Sequence, residues 1–294
     1  MLTNCLCNLC NVDDARLLYH IKSFQIVQCR RCGLVYVNPR LQEKELIKIY
    51  SSPDYYQSKD TDTCGYENYL EDKENITKTF KQKLKKINKF IKRGKILDMG
   101  CAFGFFLDLL QIDGWEVYGV EVSEYASKYA QTELGLNVFN GTLKNACFPD
   151  EFFDTIVMWD VVEHLSDPLA ELREINRILK RDGLLVIQTP NIDSLIARFT
   201  GKRWACLQRP AEHYYYFSPK TLEIMLEKVG DKIIHSYNFE GGKFCNIRFI
   251  LNRLKVYNKV IFGALSNLAE KVNLSNRSFY VDIGDNMLVL ARKL

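Results

Sequence analysis

Residues 96–107 read ILDMGCAFGFFL: an apolar run, a carboxylate, then two glycines four residues apart before more apolar residues. The pattern is a buried strand (KILDM) meeting a helix (FGFFLDLLQ) through a tight turn. Outward from it the same alternation continues. WEVYGVEV reads as a strand, with Ser123 capping the helix EYASKYAQTEL. LNVFNG and FFDTIVMWDVV read as strands, PLAELREINRILK as a helix stopped at Arg181-Asp182-Gly183, and GLLVIQTP as a strand. SPKTLEIMLEKV is a helix capped by Ser218, and the strands KIIHSYNFE and YVDIGDNMLVLARK follow. Strands alternating with helices of this length imply an α/β fold, a Rossmann-like and mostly parallel sheet with helices on both faces.

In such a sheet ligands bind at the carboxyl ends of the strands, where the strand order reverses. Gly100 permits close approach to the backbone, Ala102 is small enough to do the same, and Gly104 lets the helix sit near the strand. Asp98 adds a carboxylate. Glu121 ends the second strand about twenty residues later, where an acid can accept both hydroxyls of a ribose. A dinucleotide and S-adenosylmethionine both fit that acid. The dinucleotide needs G-x-G-x-x-G and a helix terminus free for pyrophosphate, whereas this chain has G-x-A-x-G beside the negative Asp98. The turn favours the cationic ligand.

Upstream, Cys7 and Cys10 form one CxxC and Cys29 and Cys32 a second, with eighteen residues between the pairs. That spacing matches a structural zinc site of four thiolates. Each knuckle needs a left-handed residue after its second cysteine, which Asn11 and Gly33 can supply. Cys5 offers a slipped alternative to Cys7. Cys64, Cys101, Cys147, Cys206 and Cys245 are scattered and read as small apolar residues. The MLTNCLCNLC start lacks the basic flank and apolar core of a signal peptide, and no apolar run reaches the roughly 18 residues that span a bilayer. A cytoplasmic protein is expected.

ILDMGCAFGFFL, VYGVEVS, FFDTIVMWDVVEHLSDP and LKRDGLLVIQTPN, in this order, resemble class I S-adenosylmethionine-dependent methyltransferases over about residues 75–294. CxxC, CxxCG and LVYVNP, from Cys7 to Pro39, resemble the zinc-binding module that precedes sugar and small-molecule methyltransferases of that superfamily. The resemblance implies a seven-stranded sheet and a bound S-adenosylmethionine. Asp98, Gly100 and Gly104 would line its methionine part, Glu121 would hold the ribose, and Val122 would lie beside the adenine. The turn Asn140-Gly141-Thr142 would meet the adenine edge, and Asp160 would lie near the methyl group or the amine. Ala102 departs from the glycine usual there.

Two histidines adjoin glutamates at places where a base would be useful, which makes His213, Glu212 and His164 the catalytic candidates. Glu163-His164 lies in the EHLSDP stretch common to the superfamily and reads as a part of the cofactor pocket. Glu212-His213 precedes the run Tyr214 to Phe217, which with Arg203-Trp204 resembles an aromatic acceptor wall. AEHYYYFS resembles the stretch of sugar C-methyltransferases in which the histidine is a proposed base, so His213 is the candidate base for an acceptor hydroxyl. His20 and His235 are isolated.

The organisation expected is therefore a zinc-binding module over residues 1–40, a tyrosine-rich linker with one short helix over 41–74, and the methyltransferase domain over 75–294. The acceptor expected is a small molecule, a sugar hydroxyl or a glycan or lipid-linked relative. An RNA or protein acceptor docked through the zinc module is the alternative, and a non-enzymatic zinc-ribbon adaptor ranks below both. The 294-residue chain carries a net charge of +4, and residues 243–277 alone carry +6, with seven bases against Glu270. The absence of a longer basic face counts against nucleic acid. Within this insertion Ile247, Ile250, Leu251, Leu254, Tyr257, Ile261, Leu265, Leu268 and Val272 share one helical face edged by bases, a pattern for packing or for peripheral contact with an anionic membrane. Gly263 is the expected break.

Overall fold

The computed structural model describes residues 2–57, 68–91, 93–237, 241–255, 258–272, 274–275 and 277–294. Cys64, Gly65, Tyr257 and the last three residues of KIIHSYNFE lie outside them.

The cysteine-rich end holds β1 (Leu2–Thr3), β2 (Ala15–Ile21), β3 (Phe24–Cys29), β4 (Val35–Val37) and β5 (Arg40–Leu41), with β1 paired to β5. Each CxxC closes a knuckle of the same design. Asn11 N–H donates to the Cys7 carbonyl and Gly33 N–H to that of Cys29, at 2.7 and 3.0 Å. Both residues have the positive φ that the sequence expects of them, 54° and 81°.

Next come α1 (Glu43–Ser51) and α2 (Lys73–Ile87). Of the described residues within 41–74, Leu46, Tyr56 and Tyr69 are buried despite the segment's polar composition, and the two tyrosines pack on Phe103 beside the glycine turn.

The main sheet follows with β6 (Lys95–Met99), α3 (Phe105–Ile112), β7 (Glu116–Glu121), α4 (Glu124–Glu133), β8 (Val138–Asn140), α5 (Leu143–Ala146), β9 (Phe153–Trp159), α6 (Pro168–Ile178), β10 (Leu179–Pro190), α7 (Leu195–Thr200), β11 (Tyr215–Tyr216), α8 (Pro219–Glu227), β12 (Asp231–Tyr237), β13 (Lys243–Asn246), α9 (Ile247–Leu254), α10 (Lys259–Lys271), β14 (Ser278–Val281) and β15 (Asn286–Lys293). Seven strands run β12-β15-β10-β9-β6-β7-β8, and β15 is antiparallel to its neighbours. Order reverses at β6: the chain steps outward to β7 and β8, then returns to β9 on its other side. The expected caps are present, since the Ser123 and Ser218 hydroxyls accept from Ala126 and Thr221 N–H, an interaction worth about 1 kcal/mol each.

Three boundaries differ from the sequence reading. Helix α6 ends at Ile178, where the chain turns straight into β10. The last apolar run divides, because β14 pairs with β13 in a hairpin and only β15 enters the main sheet. Gly263 lies inside α10, which runs unbroken from Lys259 to Lys271. A glycine inside a helix costs about 1 kcal/mol, too little by itself to end it.

The run Tyr214 to Phe217 holds a further difference. Strand β11 pairs with β4, so the sheet β11-β4-β3-β2 joins the cysteine-rich end to the loop after β10. The Tyr214, Tyr215, Tyr216, Phe217 and Trp204 rings are wholly buried in that junction. They are core, and the aromatic acceptor wall is not formed by them.

Candidate active site

At the switch point the β6–α3 turn is built on left-handed residues: Gly100, Ala102 and Gly104 have φ of 73°, 47° and 78°. A side chain on Gly104 would meet Leu136 Cδ1 at 2.4 Å and Ala130 Cβ of α4 at 3.1 Å, so the glycine lets the start of α3 lie against α4. At Gly100 the crowding atom would be Val161 Cγ2 at 2.7 Å, a neighbour from the turn after β9.

Glu121 braces this turn. Its two carboxylate oxygens accept from Ala102 N–H at 2.9 Å and Ser123 N–H at 2.8 Å, and each keeps a further lone pair for a ligand hydroxyl. Asp98 is buried with Oδ1 lacking a hydrogen-bond partner. Burial, then the nearby Glu121 charge, holds its carboxyl well above the usual carboxylate range, and Lys83 opposes the shift. Gly141 N–H and the Asn140 amide both donate to the Glu121 carbonyl, which sets Val122, Gly141 and Thr142 beside the end of β7.

Lys83 is a residue the sequence concealed. Its place on α2 reads as one of many solvated lysines, yet it is buried, with Nζ 4.7 Å from the Trp159 ring and facing Asp160 and Asp98. Burial lowers it to about 8. Asp160 has a left-handed backbone and accepts from the Gln188 amide through both oxygens at 2.9 Å.

Across β9 the two glutamate–histidine pairs converge. Tyr214 N–H donates to the Glu163 carbonyl at 2.9 Å, clamping their segments together. The His164 and His213 rings stand edge to face, 4.7 Å between centroids. His164 Nδ1 lies 2.8 Å from the Tyr50 hydroxyl and 3.0 Å from the Glu212 carbonyl. Burial lowers its pKa. The Glu212 carboxylate is buried without a hydrogen-bond partner among the described residues. His20 is exposed on β2, and His235 meets the Tyr237 ring edge-on and the Phe90 ring at a tilt.

A second centre lies in the cysteine-rich end. Cys7, Cys10, Cys29 and Cys32 bring four sulfurs within 4.8 Å of one another as free thiols. The Cys7–Cys32 and Cys10–Cys29 separations, 3.4 and 3.5 Å, approach the edge of a tetrahedron with metal–sulfur bonds of about 2.3 Å. Cys5 stands outside, its thiol directed at Asn38 Oδ1.

A seven-stranded sheet with one antiparallel strand and an acid-and-glycine turn at its switch point defines a class I methyltransferase architecture. The chain belongs to the methyltransferase domain family, whose model matches residues 71–236, more than half of it. A probable S-adenosylmethionine-dependent methyltransferase of Mycobacterium tuberculosis is 34% identical over 97 residues, which are 33% of this chain and 35% of that protein. A ubiquinone biosynthesis O-methyltransferase of Cereibacter sphaeroides is 29% identical over 46% of this chain and 59% of its own length. The chain thus spans about a third to three fifths of these relatives. A crystal structure of an S-adenosylmethionine-dependent methyltransferase from Archaeoglobus fulgidus shares the fold, with a TM-score of 0.52 at 22% identity over 76% of this chain and 99% of that one.

Proposed function

We propose that this protein transfers a methyl group from S-adenosylmethionine to a hydroxyl of a small-molecule acceptor, a sugar or related metabolite. The observation that carries this reading is the buried Asp98 carboxylate, unpartnered at Oδ1 and set against Glu121 beneath a left-handed turn. Two close carboxylates repel a phosphate and attract a ligand that brings an ammonium, a sulfonium and a ribose diol. When bound, S-adenosylmethionine supplies an activated methyl for in-line displacement. The chain's own part is to orient it through Asp98, Glu121 and the turn, and to accept or weaken the acceptor's proton at His213.

Zinc is the ion we assign to the four thiolates. Four sulfur donors leave no open coordination position, so its role is structural. The cysteine-rich sheet shares β11 with the loop that carries His213, which supports a positioning role over the docking of RNA or protein. The deciding experiment is a tritiated-methyl transfer screen over nucleotide sugars, glycans and RNA. Label is expected on a sugar hydroxyl, with His213→Ala lowering turnover about 10²-fold at unchanged cofactor affinity. Label on RNA alone, or wild-type turnover in that variant, would refute the assignment.

Peripheral contact with an anionic membrane is a second element of the proposal. Along α10 and its C-cap, Ile261, Leu265, Leu268 and Val272 are 42–55% exposed, whereas Ser266 and Ala269 face the protein. The apolar stripe points outward, beside the bases of the insertion.

A further inference from the structure

The acceptor side carries a second set of metal-type donors, separate from the thiols. One ligand atom each from Glu163, His164 and His213 lies within 4.8 Å of the other two, and Glu163 Oε1 is 3.9 Å from His164 Nε2. We infer that these three side chains bind one divalent first-row transition-metal ion, which takes the acceptor hydroxyl as a further ligand. The inference rests on reading this pocket as the acceptor side of a methyltransferase, and it specifies how His213 acts there: through the ion, which replaces the imidazole as the agent that acidifies the hydroxyl.

Each donor is prepared for the task. Glu163 is 1% exposed. Thr189 Oγ1 donates to its Oε2 at 3.0 Å, and Oε1 has no hydrogen-bond partner. A buried carboxylate oxygen without a partner costs about 1–3 kcal/mol or more, and a cation removes that cost. At His164, the Glu212 carbonyl 3.0 Å from Nδ1 can only accept and the Tyr50 hydroxyl at 2.8 Å can accept as well as donate, so the tautomer that satisfies both carries its proton on Nδ1 and presents the Nε2 lone pair towards Glu163. An imidazole whose outer N–H is held by a carbonyl is the usual form of a metal ligand. The edge-to-face arrangement of the two rings and the Glu163–Tyr214 backbone bond bring His213 into the same space.

The surrounding charge agrees. Asp160 faces both Glu163 and His164, and the buried Glu212 carboxylate also faces His164. Arg209 is the cation facing His164 among the described residues, and Lys83 faces Asp160 rather than the three donors. Metal–ligand bonds of about 2.0–2.2 Å hold neighbouring donors roughly 3–3.5 Å apart, so the side chains must close by about 1 Å on binding. Two imidazoles and one carboxylate leave open positions, and that mixed set suits zinc, iron, cobalt or manganese. A hydroxyl on the ion loses its proton to water at a lower pH. Its oxygen then forms the bond to the methyl carbon as the sulfur–carbon bond breaks, and the sulfonium becomes a neutral thioether.

The test uses the full chain with its thiolate site filled by zinc. Mn²⁺ is added, since it favours nitrogen and oxygen over sulfur, and the loss of the free ion's paramagnetic resonance signal is followed. S-adenosylmethionine affinity is measured in parallel. One Mn²⁺ per chain is expected. Glu163→Gln, His213→Ala and the shape-conserving His213→Gln should each weaken it at least tenfold while S-adenosylmethionine binds within about twofold of wild type, the retained affinity reporting an intact fold. No ion beyond the thiolate zinc, with Mn²⁺, Co²⁺ or Zn²⁺ offered in turn, overturns the site. So does unchanged ion binding in all three variants. Loss of S-adenosylmethionine binding by the wild-type chain would instead strike the methyltransferase reading itself.

Discussion

Asp98 sets the terms of the cofactor pocket at the scale of one residue. Its carboxyl is buried, lacks a partner at Oδ1, and is pushed above the usual range by burial and by Glu121. A group whose folded pKa is raised supports folding below its unfolded value near 4, and that support fades as pH rises towards the folded value. The apoprotein therefore carries a cost at neutral pH that a cationic ligand offsets. Two outcomes are expected. Asp98→Asn should stabilise the ligand-free chain by on the order of 1 kcal/mol in thermal unfolding, yet weaken S-adenosylmethionine binding. In the wild type, a cationic ligand favours the ionised Asp98 carboxylate over its protonated form, so affinity should rise with pH, by at most about tenfold per unit. The range to use is pH 5.5–7.5, roughly where the ligand's α-amino group stays protonated. A flat calorimetric profile, or an Asp98→Asn variant with wild-type affinity, would contradict this account. The pattern of Asp98, Gly100, Gly104 and Glu121 was readable because a strand-to-helix turn spaces them locally. Lys83 was not. Nothing in a lysine-rich helix says which lysine faces inward until α2 is set against Trp159.

Among elements, the junction between β4 and β11 links the cysteine-rich end to the loop that carries His213. Arg40 fastens it: its guanidinium donates to the Tyr215 hydroxyl at 2.6 Å and the Ser166 carbonyl at 2.7 Å, and lies over the Tyr214 ring. Asn8, within the first knuckle, accepts from Leu169 N–H and donates to Asp167 at the start of α6. His213 is one residue from this junction, whereas Asp98 and Glu121 lie on β6 and β7. Cys32→Ser should therefore release the metal and lower turnover about tenfold or more through a misplaced His213, while S-adenosylmethionine affinity changes less than about threefold. Elemental analysis with single-turnover kinetics would check it, and zinc retained at full occupancy, or equal losses in both readings, would count against the linkage. The knuckles were legible in the sequence because CxxC, Asn11 and Gly33 are short-range features. Strand β11 has two residues and a partner about 180 positions away, so YYYF carried no signal of its own, and its aromatic content pointed to a ligand wall where the fold needed core.

For the whole molecule the open question is where the outward face of the insertion rests. Among the described residues no helix is long and apolar enough to cross a membrane. The insertion nevertheless exposes Val260, Ile261, Leu265 and Leu268 on α10 and Val272 at its C-cap, and the following β14 exposes Phe279 and Tyr280. Exposed bases at Arg248, Lys259, Lys271 and Arg277 belong to the same segment, whose net charge is +6 on a chain of +4. Its other side is anchored, since Phe244 N–H donates to Thr79 Oγ1 of α2 at 2.8 Å. An apolar face edged by bases fits the interface of an anionic bilayer, where apolar area and charge attraction add. The protein should float with vesicles rich in anionic lipid at low salt. It should dissociate at 0.5 M salt, where the screening length falls to roughly 4 Å, and Leu268→Glu should abolish flotation without changing S-adenosylmethionine affinity. Flotation equal on neutral vesicles would leave the bases without a role. A chain that stays at the bottom of the gradient under every condition would assign α10 to contact with another protein surface, since its own domain leaves that stripe uncovered.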